Sequence, residues 1–254
     1  AELPEDMNAF KAQQHRWAKG SAQTALKLLG RVLRADLPLA VKVEAFLHLT
    51  SNFTYVLMTG PILLWVPTLA AGVADDDPRM LLLAATMSLT TTCVLAYYLT
   101  GQHAAGRRLR SSVAELPALL ALGIGMSVNN ARAVFEALAG HDSPFLRTPK
   151  SGDRGGAAAS TLEGFAYQLR AKWHTWIELA LAGYFGLGIA FAVREEKWIA
   201  LPFLMLFLFG FLYVGLGSLG KRSEPILRVG TVAAGLAAIG VVVWASSEVI
   251  ARWP

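Results

Sequence analysis

Apolar residues in this chain gather in long uninterrupted runs, and the polar residues gather between them. Five runs are long enough to cross a bilayer as helices, which takes about 20 residues. They are 46–70, 80–100, 174–193, 198–219 and 226–250. The connectors 71–79, 194–197 and 220–225 are short, which predicts antiparallel hairpins between consecutive spans. Pro61 and Pro67 lie inside the first run, where a membrane helix tolerates them but is expected to bend. A sixth run, 117–128, is too short to span and meets Asn129, Asn130 and Arg132. Extended over 113–139, it places Val128, Ala131, Phe135 and Leu138 on one helical face, with Asn129, Arg132 and Glu136 off it. That pattern predicts one helix lying in the membrane–water interface.

Residues 13–34 repeat the amphipathic pattern. Ala22, Leu26, Leu29 and Leu33 form an apolar stripe, and Lys27, Arg31 and Arg34 lie on another face. A helix of this kind rests on a membrane surface and is attracted to anionic lipid. The predicted fold is an all-α membrane protein with five transmembrane helices and two amphipathic interfacial helices. Its divisions are an interfacial region 1–45, a first transmembrane hairpin 46–100, a polar region 101–173 and three further spans in 174–254. No internal repeat is present. Ser151–Ser160, rich in Gly and Ala, reads as a mobile loop.

Composition agrees. Of 254 residues, 54% are hydrophobic and 16% charged, against about 25% charged in a soluble domain. The deficit disfavours a soluble enzyme, a disordered chain or a nucleic-acid-binding module. The net charge of +5 therefore reads as an orientation signal. With a cytoplasmic N-terminus, the inside segments 1–45, 101–173 and 220–228 hold 19 of the 23 Lys and Arg. Only Arg79, Arg194, Lys197 and Arg252 remain outside. The bias predicts a multi-pass cell-membrane protein, N-terminus in and C-terminus out. Spanning with 117–128 would put Arg147, Lys150, Arg154, Arg170 and Lys172 outside, against the rule. The single cysteine, Cys93, excludes intrachain disulfides and cysteine-rich metal sites. The chain opens on Ala1 with a polar stretch and no signal-peptide pattern, and is expected to be the C-terminal part of something longer.

On the first amphipathic helix, Gln13, Arg16 and Trp17 stand at i, i+3 and i+4, presenting an amide, a guanidinium and an indole together. A guanidinium grips phosphate bidentately and an indole offers a flat plate for a sugar ring. The same residues suit a membrane anchor, with Trp17 at the interface and Arg16 on a lipid headgroup. Spacing alone leaves both open.

Gln13-Gln14-His15-Arg16-Trp17 resembles the Gln-x-x-Arg-Trp signature of processive, membrane-integrated family 2 glycosyltransferases, among them cellulose synthase and its mannan and glucan synthase relatives. The surrounding residues resemble the cellulose-synthase-like glucomannan branch. Phe145-Leu146-Arg147-Thr148-Pro149-Lys150 resembles that family's gating-loop pattern Phe-x-Val-Thr-x-Lys, with Arg147 standing where the pattern has Val. The order of signature helix, two spans, interfacial helix, gating loop and further spans also agrees. The resemblance implies donor and acceptor binding by Gln13, Arg16 and Trp17, and a substrate-responsive loop carrying Phe145, Arg147, Thr148 and Lys150.

It also implies transfer of hexose from UDP-glucose or GDP-mannose to a growing β-linked polysaccharide that leaves through the protein's own channel. The catalytic GT-A domain, with its Mg2+ or Mn2+ ion, would lie upstream of Ala1. This chain is thus expected to hold no catalytic residue, to bind no cofactor and to be inactive by itself. Asp75-Asp76-Asp77 imitates a metal-binding Asp-x-Asp, but falls in a short connector on the predicted outer face, away from cytosolic donor. Its partners would be donor, polysaccharide acceptor, membrane lipid and the GT-A domain, and not nucleic acid.

Polar residues within spans are costly in lipid and face a pathway or a neighbouring helix. Glu44, His48 and Asn52 recur every four residues into the first span, with Tyr55 near the same face, and His174 and Glu178 repeat that spacing at the start of the third. They are candidates either for lining a polysaccharide channel or for bonding between helices. Two other functions remain open: a non-enzymatic transporter or scaffold subunit, and a lipid glycosyltransferase that extrudes nothing.

Overall fold

A computed structural model describes Pro4 and residues 6–72, 78–142 and 173–219 of the chain. Among these residues every regular element is helical. The Phe145–Lys150 segment, Asp75–Asp77, the 151–160 stretch and the run 226–250 lie outside the described residues. The helices are α1 (Met7–Arg34), α2 (Leu39–Thr50), α3 (Thr54–Ala70), α4 (Pro78–Ala104), α5 (Leu109–Gly125), α6 (Ser127–Leu138), α7 (Trp173–Arg194) and α8 (Leu201–Leu219).

Three helical stretches among the described residues are long and apolar enough to cross a membrane: Leu39–Ala70, Trp173–Arg194 and Leu201–Leu219. Taken as one broken span, α5 and α6 would add a fourth. Helix α4 covers the second predicted span.

Three expectations are corrected. The first amphipathic helix begins at Met7, not at residue 13, because Asp6 caps it. The Asp6 carboxylate accepts hydrogen bonds from the backbone N–H groups of Asn8 (2.9 Å) and Ala9 (3.0 Å). The 46–70 run belongs to a helical stretch that starts at Leu39 and is broken at Ser51–Phe53 by a 3-10 turn. The break falls at hydroxyl side chains: Thr50 Oγ1 donates to the Phe46 carbonyl (2.7 Å) and Ser51 Oγ to that of His48 (2.9 Å). Such bonds compete with the helical ladder. Pro61 and Pro67 both lie within α3. Finally, the single interfacial helix expected over 113–139 is two helices, parted at Met126 just after Gly123 and Gly125, residues that cost a helix stability.

The chain divides into two compact units, one drawing on Ala1–Ile62, Gly125–Ala180 and Val214–Glu224, the other on Leu63–Ile124, Leu181–Tyr213 and Pro225–Pro254. In the first, α1 lies against α6 and α2. Alanines make this contact: Ala18, Ala22 and Ala25 of α1 and Ala131, Ala133 and Ala137 of α6 are buried. Small side chains let helix backbones approach closely. Ala22, Val134 and Ala137 form a core on which Phe53 and Val56 pack. In the second unit, Phe185 of α7 stacks on Phe207 and Phe211 of α8 at 4.8 and 5.9 Å between ring centres. Tyr184 donates to the Leu63 carbonyl at 2.7 Å. Gly188 and Gly210 sit where a side chain would collide with Val66 and with the Ala121 carbonyl oxygen.

Candidate functional site: a polar seam behind the signature helix

All geometry in this section belongs to the first unit. At 100° per residue, Asn8, Lys11, His15, Lys19 and Ala22 fall within roughly 80° of one another around α1. This face is turned inward: Asn8, Lys11, Lys19 and Ala22 are buried, and His15 nearly so. The predicted stripe continues this same face toward the C-terminus of α1, where Ala22 is buried while Leu26 and Leu33 are exposed. The exposed leucines remain suited to a lipid surface, and the buried half of α1 is held by polar bonds.

Those bonds form two groups. In one, Lys11 (2% exposed) meets Glu178 of α7 (0%). Its Nζ donates to Oε2 at 2.7 Å and lies 2.7 Å from Oε1 as well, off the hydrogen-bond direction. The same Nζ donates to Ser218 Oγ of α8 at 3.1 Å, and Asn8 Nδ2 donates to the Ser218 carbonyl at 2.9 Å. Asn129 of α6 donates to the Lys11 carbonyl at 3.0 Å. Two residues of α1 thereby engage α6, α7 and the last turn of α8.

Glu136 of α6 centres the other group. Its Oε1 accepts from Arg132 Nε at 2.7 Å, and its Oε2 accepts from Lys19 Nζ at 3.2 Å. His15 Nε2 stands 3.2 Å from Oε2, too far off line for a directed hydrogen bond. Arg132 Nη1 reaches His174 Nδ1 at 3.2 Å, and its guanidinium lies 5.9 Å from the centre of the Trp173 ring. Burial pushes the Glu136 carboxyl up, but the Arg132 bond and the charges of His15, Arg132 and Lys19 together outweigh it and hold the group below its ordinary range. His15 is lowered from 6.5, chiefly by burial, with Arg132 and Lys19 adding to the effect against the opposing pull of Glu136.

Gln13, Arg16 and Trp17 occupy an arc of α1 centred about 150° from this seam. Trp17 is 59% exposed and Arg16 partly so. Gln13 is half-buried, and its Oε1 accepts no hydrogen bond among the described residues. The arrangement presents an indole plate and a guanidinium fork on the outer side of a helix anchored from behind. Among the described residues no group of three His, Cys, Asp or Glu stands together.

The channel-lining candidates divide. His174 and Glu178 are buried and bonded to Arg132 and Lys11, so both engage neighbouring helices. Glu44 and His48 are exposed on α2, Asn52 lies in the 3-10 turn, and Tyr55 opens α3. The break at 51–53 thus interrupts the four-residue line they were expected to form. Lys11, His15 and Lys19 were passed over in the sequence; their i, i+4, i+8 spacing was the available signal, and Asn129, Arg132 and Glu136 of α6 follow a similar line at i, i+3, i+7.

No protein-family model, curated protein or solved structure matches this chain.

Proposed function

We propose that this chain is the membrane part of a processive β-glycosyltransferase, which holds nucleotide-sugar at the signature helix and conducts the growing polysaccharide across the membrane. The observation that carries this is the outward arc of Arg16 and Trp17 on a helix whose opposite face is locked by buried ion pairs. An anchor lying loosely on lipid has no need of Lys11 and Lys19 buried against carboxylates. A site that must hold a diphosphate and a sugar needs a rigid backing.

In this reading the Arg16 guanidinium binds the donor's diphosphate through paired N–H groups. The Trp17 indole stacks on a sugar ring. Gln13 stands between them on the same arc, its Oε1 buried and accepting no hydrogen bond among the described residues. In this reading metal binding and deprotonation of the acceptor belong to a GT-A domain that works with these helices. Three helical stretches of membrane-crossing length are consistent with the conducting role. The Phe145–Lys150 gate remains part of the proposal on its sequence pattern.

The test is product formation by the intact protein in its native membranes, supplied with UDP-glucose or GDP-mannose. A long β-linked polymer that appears across the membrane supports the proposal. Glycosylated lipid would instead identify a lipid glycosyltransferase, and no transfer from any nucleotide-sugar would leave a transporter or scaffold subunit.

A further inference from the structure

The two polar groups flank the signature on the same helix. Lys11 lies before Gln13, and His15 and Lys19 bracket Arg16 and Trp17. Each is tied to a different element: Lys11 to Glu178 of α7 and Ser218 of α8, His15 and Lys19 to Glu136 of α6. The hydrophobic part of the same contact is mostly alanine, with Val134 of α6 beside it and Phe53 and Val56 packed on it, and small side chains resist rotation about the helix axis less than large interlocking ones. A methyl-lined seam lets a helix turn; charges fixed at 2.7–3.2 Å do not.

We infer that Glu178 and Glu136 are positioning residues: through Lys11, and through His15 and Lys19, they set the rotation of α1 that turns Arg16 and Trp17 outward toward the nucleotide-sugar. Neither carboxylate touches substrate. Glu178 belongs to a helix of membrane-crossing length, so the orientation of the donor site is coupled to α7, and a shift of α7 along the path of the polymer would turn the donor site with it. The donor-facing part of this inference rests on the glycosyltransferase proposal; the rotational part does not.

The experiment reads rotation and function separately in the intact protein. In a Cys93→Ala background, single cysteines at positions 17, 18 and 22 are labelled with a water-soluble maleimide in opened membranes. Position 17 is expected to label quickly and 18 and 22 slowly. Glu136→Gln and Lys11→Met should each raise labelling at 18 and 22 relative to 17, and Lys11→Glu combined with Glu178→Lys should restore the contrast. With Cys93 restored and no cysteine introduced, the single variants should raise the donor KM about tenfold, more than they lower kcat, because misplacement by about 1 Å weakens alignment steeply. A merely structural role would reduce the amount of folded protein and leave KM unmoved. An unchanged contrast in both single variants, or loss of folded protein with unchanged KM, overturns the inference. A contrast that responds as expected in a protein that turns over no nucleotide-sugar upholds the rotational role and overturns the glycosyltransferase proposal.

Discussion

Lys11 and Glu178 stand 167 positions apart in the chain, yet the ammonium and carboxylate meet at 2.7 Å with almost no solvent access. Removing one partner of a buried pair strands the other charge, at a cost of about 3–5 kcal/mol, whereas removing both together can be nearly neutral. Lys11→Met is therefore expected to lower the unfolding midpoint in detergent sharply, and Lys11→Met with Glu178→Met to recover most of the loss. A double variant no more stable than the single would show that the pair is not what holds α1 in place.

Acid should loosen the seam. The pKa of His15 is lowered, so between that value and 6.5 the unfolded chain binds a proton that the folded chain refuses. Stability is then fully present above about pH 6.5 and declines as pH falls below it. Glu136 is also lowered, from 4.5, so its contribution is present above that value and lost on further acidification. Thermal unfolding measured between pH 8 and 5 should show a falling midpoint, and His15→Gln should flatten the upper part of the slope. A midpoint that rises toward pH 5 contradicts this assignment.

Gly210→Ala should destabilise by about 1–3 kcal/mol, since the added carbon would lie 2.7 Å from the Ala121 backbone oxygen, which cannot swing aside. Gly183→Ala, in open space on α7, should be neutral or stabilising by up to about 1 kcal/mol. Denaturant midpoints of the two variants give the comparison. Equal behaviour would mean that α5 and α8 are not closely packed there.

The distribution of Lys and Arg predicts that Asp76 and Pro254 lie outside and Arg147 and Lys150 inside. Single cysteines at these positions in a Cys93→Ala background should separate cleanly with an impermeant thiol reagent on intact cells. Labelling at 147 or 150 without labelling at 76 reverses the orientation.

The sequence made the long apolar helices legible because the ability to cross a bilayer is a property of consecutive residues. Helices α7 and α8 accordingly fall within a few residues of the predicted runs. The seam was not legible in the same way. Apart from their spacing, nothing in the local sequence singles out Lys11, His15 and Lys19, whose partners stand 117 to 207 positions away. The leucine stripe was more conspicuous and lies on the same side of α1, but its leucines fall in the exposed C-terminal part, and the buried part of that face is carried by polar residues and alanine. The break in the first span was not legible either: the ladder is interrupted where Thr50 and Ser51 bond back to carbonyls. The prominence of Gln13, Arg16 and Trp17 in the sequence came from residue type and spacing; their outward placement came from what lies behind them.

The role of that outward face is tested most directly by donor kinetics of Trp17 and Arg16 variants in the intact protein. Trp17→Ala should raise the donor KM or abolish polymer synthesis, Trp17→Phe should retain a measurable part of it, since a phenyl ring keeps some of a stacking contribution of about 1 kcal/mol, and Arg16→Lys should be nearly as damaging as Trp17→Ala because an ammonium lacks the planar fork. Wild-type kinetics in all three variants would contradict the account and leave α1 as a membrane anchor.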